Sequence, residues 1–401
     1  MASVLEPASA PDRTPFVELG ELMSRKPGSI NPAKHKDQTF ELYSIPAYEA
    51  REPEVQPGAA IGSSKQLVQP NDVLVSKIVP HIRRAWVVGP KGSHEQIASG
   101  EWIPFRSDRV EPNYLRHLLI SDWFHPRFMQ TVSGVGGSLL RARPAEVAKI
   151  KVPLPPLPEQ RRIAAILDKV DALRLKRREA IAKLDQLLQS VFLEMFGDPV
   201  ANPQSWPLAP LESFVTLGPS NGISKTKNFL GRGTALIDNK AVYRGRYVDF
   251  SDHRLIDVSE SERRRFRIGH HDLLFNRVSV KPEGVGVVAL AVNPPPGSVF
   301  ESNLMRVRLS REIDPIYALF ALRSESMRAR VRQNANISNQ ASINQAVLRK
   351  LMIAIPPKEK QKEFSLFVRR AEHLAKKNQA AFDCVDGLMC SLQQRAFNGQ
   401  L

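Results

Sequence analysis

Two kinds of hydrophobic spacing alternate along this chain. Short apolar runs bounded by Gly, Pro and Asn read as strands at Asp72–Lys77, Trp86–Val88, Leu273–Phe275, Val285–Val292 and Leu304–Leu309. Short helical pieces are expected over Asn113–Trp123 and Pro315–Gln333. Each is followed by a Pro-Pro pair and then a much longer helix. In the first long helix Ile163, Ile166, Val170, Leu173, Ala180, Leu184, Leu187 and Val191 keep the 3-4 rhythm of a heptad seam, broken only by Arg177. From Leu157 to the stop signal at Gly197-Asp198-Pro199, this predicts a helix of roughly 60 Å at about 1.5 Å per residue. The second seam reads Phe364, Phe367, Ala371, Leu374, Ala381, Val385, Leu388 and Leu392, with Asn378 as its break and Asn398-Gly399 as its end. A polar residue at the same layer of both seams is expected where it fixes the register of two helices facing each other.

The order of elements is duplicated. Asp72-Val73-Leu74-Val75-Ser76-Lys77 returns as Asp272-Leu273-Leu274-Phe275-Asn276-Arg277, a shift of 200. Pro155-Pro156 with Gln160 returns as Pro356-Pro357 with Gln361, and Asp185, Leu187, Ser190 and Phe196 return as Asp386, Leu388, Ser391 and Phe397, both at 201. Pro112 and Tyr114 are echoed by Pro315 and Tyr317 at 203. One offset held this closely across separate regions makes the chain two copies of a unit of about 200 residues.

Charge adds a partner class. The 401 residues carry 57 Lys plus Arg against 41 Asp plus Glu, a formal net charge of +16. That excess favours a polyanion, since each phosphate neutralised releases a counterion. No apolar run reaches the roughly 20 residues of a membrane span, and no secretory signal pattern opens the chain, so a cytoplasmic protein is expected. Two cysteines, Cys384 and Cys390, without a nearby His pair exclude a disulfide scaffold and a zinc knuckle.

Catalytic patterns are missing. There is no phosphate-binding G-x-x-x-x-G-K-[ST] loop, no H-E-x-x-H, no C-x-x-C and no G-x-S-x-G elbow. Gly134-Val135-Gly136-Gly137 and Gly284-Val285-Gly286 read as turns. Asn293-Pro294-Pro295-Pro296 is similar to the Asn-Pro-Pro-aromatic motif of adenine-N6 methyltransferases, but Pro replaces the ring that would stack on a flipped base, so a stiff loop between strands is expected. The positive signal is cationic: Lys77, Arg83, Arg84, Arg141 and Arg143 in the first copy, then Lys225, Lys227, Arg263 to Arg265 with Arg264 central, Arg277, Lys281, Arg328, Arg330 and Arg332 in the second. Lys and Arg meet phosphates, and the Arg fork fits guanine O6 and N7. Ser338-Asn339-Gln340 and Asn344-Gln345 add amides of the kind that pair with adenine.

With these residues in view, the stretch Val152-Pro153-Leu154-Pro155-Pro156-Leu157-Pro158-Glu159-Gln160-Arg161-Arg162-Ile163-Ala164-Ala165-Ile166-Leu167-Asp168 resembles the start of the central spacer helix in specificity subunits of type I restriction-modification systems. Gly136-Gly137-Ser138, Ile343-Asn344-Gln345 leading to Ile355-Pro356-Pro357, and Ser391-Leu392-Gln393-Gln394-Arg395-Ala396-Phe397 also resemble segments of that family. The second proline segment departs from the fuller Leu-Pro-Glu-Gln form, reading Lys358-Glu359-Lys360-Gln361. The resemblance implies an α+β fold: two similar mixed α/β target-recognition domains, 1–152 and 201–354, separated by two long antiparallel coiled-coil helices, 153–200 and 355–401. It implies a non-catalytic chain that binds a bipartite site on double-stranded DNA together with two methyltransferase (M) subunits and, for cleavage, two restriction (R) subunits. S-adenosylmethionine, ATP and Mg would sit on those partners, with no cofactor or metal on this chain. Two other readings remain: a fused methyltransferase-specificity enzyme, and a coiled-coil scaffold without sequence preference.

Overall fold

The computed structural model describes residues 14–24, 28–134, 140–225, 229–337 and 339–401. The chain forms two compact units. One comprises residues up to Glu179 together with Gln379–Leu401, and the other Ala180–Asn378. Each therefore contains part of both long helices, Leu157–Phe196 and Lys358–Phe397. The mixed helix-and-sheet class and both long helices are as the sequence predicts.

In the first unit a three-stranded antiparallel sheet runs in the order Ala85–Val87, Val73–Ser76, Trp102–Phe105. Beside it stands a five-stranded sheet ordered Ser29–Ile30, Lys65–Leu67, Glu95–Ala98, Thr39–Tyr43, Glu54–Pro57. In the second unit four strands follow the order Val215–Asn221, Leu304–Leu309, Leu273–Asn276, Val288–Leu290. The repeated Val73–Ser76 and Leu273–Asn276 strands are buried at every residue, which accounts for their unbroken apolar runs. In each unit the core lies between that strand, a short helix (Pro112–Leu119 or Pro315–Arg323) and the long helices.

The repeat is visible as paired contacts. Asp72 is buried and takes both prongs of Arg106 at 2.6 Å, while Asp272 takes those of Arg308 at 2.6 and 2.8 Å. Gln160 accepts from Glu111 N at 2.8 Å and donates to Pro155 O at 2.7 Å; Gln361 repeats both bonds with Asp314 N and Pro356 O at the same lengths. Tyr114 donates to Pro153 O, and Tyr317 to Ala354 O, each at 2.9 Å. The aromatic partner of each tyrosine is exchanged. Tyr114 packs edge-on against Phe397, and Tyr317 against Phe196, so each core is closed by the far end of the other copy's helix.

That exchange requires antiparallel helix segments. In the first unit Arg162 donates to Leu401 O at 2.7 Å, Arg174 pairs with Asp386, and the Arg178 guanidinium lies 5.5 Å from the Phe382 ring centre. In the second, Phe192 and Phe196 meet Phe364, and Arg246 pairs with both Asp185 and Glu372.

The best-buried line along these helices departs from the sequence seam at most of its alternate positions. Ile163, Val170, Phe364 and Ala371 are buried and Leu184, Val191, Val385 and Leu392 partly buried, so these keep their places. The alternate positions move on by one to buried Leu167, Leu188, Val368 and Met389 and to partly buried Arg174 and Ala375, while Ala180 and Ile181, like Ala381 and Phe382, are equally part-buried. Leu188 is 1% exposed where Leu187 is 44%, and Met389 is 3% where Leu388 is 48%. Leu173 and Leu374 are likewise half exposed, while Ile166 and Phe367 are partly buried. The cause is local ambiguity: Ile166-Leu167 and Leu187-Leu188 offer two apolar candidates each, and Arg174 is held in the line by Asp386 and Asp171. Arg177 belongs to the first unit and Asn378 to the second. The turn level with Arg177 in its own unit carries Phe382.

The single helix expected over Pro315–Gln333 is two, because the Ser324 side chain caps a new start at Met327 N. Likewise Asn113–Trp123 shortens to Pro112–Leu119, with His125–Met129 as a separate helix. Asn293–Pro296 is a loop between strands, and Gly286 sits in a turn at φ +72°, where an added Cβ would lie 2.4 Å from Val331.

Candidate nucleic-acid interface

One surface motif is built the same way in both units. The residue just after the repeated strand, Lys77 or Arg277, donates its backbone N–H to Glu101 O or Asn303 O and accepts from Ala142 N or Ile343 N through its carbonyl. This ties the strand end to a hairpin: Val132–Ser133 with Arg141–Ala142 in the first unit, and Asn336–Ile337 with Ala341–Ser342 in the second. Ile78 bridges Arg141, and Val278–Ser279 pairs with Ala341–Ser342, so the hairpin becomes the outer part of a small sheet. Candidates far apart in sequence are thereby gathered. The backbone of Lys77 is brought beside the Arg141–Ala142 strand of the first hairpin, with Arg143 just beyond it. On the second, Lys281, Arg328 and Gln340 line one open cavity of about 630 Å³ with Arg323, and exposed Asn339 precedes Gln340 in the turn.

Other candidates stand elsewhere. Arg83 and Arg84 lie just before the Ala85–Val87 strand, Arg264 is exposed on the Glu260–Phe266 helix, and Arg332 is on Glu325–Gln333. Lys225 is held against Glu262 at 2.7 Å, and its charge lies 4.7 Å from the centre of Phe229. Lys227 and Gly136-Gly137-Ser138 lie outside the described residues.

Electrostatics divides the set. Arg83 pairs with Asp122, Arg84 with Glu49 at 3.4 Å, Arg141 with Glu101 at 3.1 Å and Arg332 with Glu325. Arg143, Arg277 and Arg328 donate to backbone carbonyls of Thr131, Ser302 and Glu283. Lys77, Lys281 and Arg264 have no ion pair among the described residues. Exposed pairs contribute only about 0–1 kcal/mol, so a phosphate can displace them, but the unpaired cations are the cheapest to recruit. Sequence reasoning missed Val280 and Ile337, which are 76% and 67% exposed beside these cations and amides. Apolar tips next to amide and guanidinium groups suit base edges, where a thymine methyl lies beside hydrogen-bonding atoms. Only exposure reveals them, since a Val or Ile in a β-rich run reads as core.

A second surface lies on the long helices. One flank of each antiparallel pair faces the globular part: Ala164, Phe192, Ser365 and Gln393 are buried there, Asp171 pairs with Arg116 at 3.3 Å, and Glu372 faces Arg246. The opposite flank carries the half-exposed leucines, Leu173 with Leu388 in the first unit and Leu187 with Leu374 in the second. In antiparallel coils equivalent flanks meet, so each pair shares one side. Exposed cations border it at heptad spacing: Arg162, Lys169 and Lys176 in the first unit, and Lys183, Arg370 and Lys377 in the second.

Among the described residues, no cluster of three or more His, Cys, Asp and Glu is arranged to hold a metal, and no helix is long and apolar enough to cross a membrane.

Comparison with known proteins gives these surfaces a context. Residues 55–186 match the family described as type I restriction modification DNA specificity domain. The chain is 29% identical to the specificity subunit of the type I restriction enzyme EcoKI from Escherichia coli K12, over 66% of this chain and 61% of that relative, less than two thirds of its length. A chain solved in work on complex assembly and conformational transition of the type I R-M system has a TM-score of 0.61 at 20% identity, covering 98% of this chain and 100% of the other. The type I restriction-modification S subunit from M. genitalium reaches 0.56 at 10% identity, over 96% of each chain. Those two likenesses concern fold alone. The chain is similar to type I restriction-modification specificity subunits, and residues 55–186 carry the match to their DNA specificity domain.

Proposed function

We propose that this chain is the DNA sequence-specificity subunit of a type I restriction-modification complex. Each unit reads one half of a bipartite duplex site, corresponding to target-recognition domains at 1–152 and 201–354. The chain positions two M subunits for adenine-N6 methylation and, where present, two R subunits for cleavage. It performs no chemistry itself, and S-adenosylmethionine, ATP and Mg belong to the partners. One observation carries this reading: the two units share a buried frame (Asp72–Arg106 and Asp272–Arg308, Gln160 and Gln361, Tyr114 and Tyr317) while their peripheral strands differ. A common frame presents two partners with matching contacts, and unlike peripheries allow two unlike half-sites.

The leucine flank supports the partner assignment. Two apolar lines with cationic borders complement a helix whose apolar seam is edged by Asp and Glu, and they repel a second copy of themselves. The chain works in the cytoplasm, where its DNA is. The test is to map N6-methyladenine in cells carrying the system, with and without this chain. A two-part motif lost on deletion supports the reading. A motif that survives, or methyl transfer by the purified chain alone, overturns it.

A further inference from the structure

In the first unit the junction between the globular part and the long helix is filled by opposite charges. Arg116 meets Asp168 at 3.0 Å and Asp171 at 3.3 Å, and His117 Nε2 lies 2.8 Å from Asp168. The second unit does not repeat this. At the same offsets Arg116 and His117 become Leu319 and Phe320, which are buried in the core, and Asp171 becomes Glu372. Asp168 becomes Arg369, an exposed cation on the helix.

Facing Arg369 is a cavity of about 630 Å³ whose other side also carries cationic or protonatable groups: Arg246, His270 and His271. The two imidazole centres are 3.8 Å apart, and His271 is held at φ +66°, a conformation that costs a non-glycine residue energy. Lys376 continues the helix side. Glu372 is the one carboxylate in the lining; it lies 3.8 Å from Arg246, itself paired with Asp185 at 2.9 Å, and its buried Oε1 has no hydrogen-bond partner. Buried Arg246 Nε nevertheless has no hydrogen-bond partner. Arg369 and Lys376 have no ion pair among the described residues. Burial holds the His271 pKa below its ordinary value, helped by His270 and Arg369. The floor is apolar, formed by Tyr247, Leu290, Val292 and Ile316. Where the first unit has the Asp168 carboxylate, the second has the Arg369 cation facing Arg246 and the histidine pair across a gap.

We infer that this cavity binds a small phosphomonoester with a flat apolar body, a mononucleotide being the fitting class: the phosphate sits between Arg369, Lys376 and the histidine pair, and the body lies on the apolar floor. An oxyanion there takes the place of the Asp168 carboxylate. The same phosphate chemistry could come from a duplex backbone, so the experiment has two arms.

Purified full-length chain is titrated with AMP and with inorganic phosphate at constant ionic strength, by calorimetry and 31P line width, with Arg369→Asp and Arg369→Gln beside the parent. Arg349→Asp, the same charge change on the Gln345–Arg349 helix and outside the cavity, is the control. Saturable AMP binding that weakens about tenfold or more in both Arg369 variants and persists in the control supports the site, because a lost charge-assisted contact is worth about a decade. Thermal melting verifies that the variants are folded, and Arg369→Gln carries the test if Arg369→Asp is not. Absence of saturable AMP binding, equal effects from chloride, or binding unchanged in folded variants overturns it. In the second arm AMP competes against duplex DNA. If duplex affinity drops in the Arg369 variants while AMP neither binds nor competes, the cavity belongs to the DNA track and the mononucleotide site is refuted.

Discussion

Leu187 and Leu188 are neighbours of identical chemistry, yet the structure gives them opposite energetic roles. Leu188 is 1% exposed in a closed core with Phe192 and Phe364, so Leu188→Ala loses its full transfer energy and leaves a void. Such truncations cost about 2–5 kcal/mol. Leu187 is 44% exposed; little more than half of its apolar area is sheltered, and water fills the space left by truncation. Half of the ~2 kcal/mol for burying a leucine is about 1 kcal/mol, part of which the better helix propensity of Ala returns. The two variants should therefore differ by at least ~1 kcal/mol, read as the shift in urea midpoint at a common slope with helical circular dichroism as the signal. Met389 and Leu388 form the same pair in the first unit and should show the same asymmetry, with Met389→Ala the costlier. If Leu187→Ala is as damaging as Leu188→Ala, the buried line runs where the sequence seam placed it and the reasoning fails.

Leu173→Ala with Leu388→Ala should lower the melting temperature by only a few degrees, since up to about 1 kcal/mol is lost at each site, but weaken capture of the methyltransferase subunit about 30-fold, since two half-exposed leucines lose about 1 kcal/mol each of coverage; unchanged affinity by calorimetry refutes the docking flank. Lys77→Ala, Lys281→Ala and Arg264→Ala should each lower the salt dependence of duplex binding by about one unit of slope, whereas Arg84→Ala, already paired with Glu49, should change it less. Burial holds His117 below the ordinary histidine pKa, so the unfolded chain protonates first as pH falls. Stability present above about pH 6.5 should then be lost below it, and His117→Phe, matching Phe320, should flatten that part of the pH–melting profile. A fragment of residues 1–200 should sediment as a dimer, each copy lending Phe196 where the full chain uses Phe397; a folded monomer refutes the exchange.

The features legible in the sequence were those written in period and repetition. The long helix from Leu157 to Phe196 was readable because a heptad rhythm runs between Pro-Pro and Gly-Asp-Pro, and the repeated strands because Asp72–Lys77 and Asp272–Arg277 return at one offset. The seam was legible only at alternate positions, because adjacent apolar residues satisfy two overlapping heptads and only the partner helix chooses between them. The buried role of Asp72 and Asp272 was not readable at all. An Asp opening a strand looks like turn chemistry until Arg106 and Arg308 arrive from strands more than thirty residues later. The candidate interface was half legible: cations announce themselves by type, but whether a cation is spent on a neighbour, as Arg83 is on Asp122, is a fact of folding. Val280 and Ile337 show the converse, apolar residues that only the fold turns outward.

The exchange of helix ends explains which parts of the two copies are alike. Tyr114 needs Phe397 and Tyr317 needs Phe196, so a change in either helix is felt in the core of the other copy's globular part. Gln160 and Gln361 fix the entry of each helix by satisfying two backbone groups in the loop before the preceding short helix and in the Pro-Pro turn. Losing such a buried amide strands both groups at about 1–3 kcal/mol each, which leaves little room for divergence. The strands of the two hairpins and the peripheral strands carry no such reciprocal debt. They lie outside the exchanged contacts, so one copy can be altered there without disturbing the other. On the proposed function, a duplicated frame that is bound to itself and free at its surface would let one chain hold two partners alike while its two halves recognise different things.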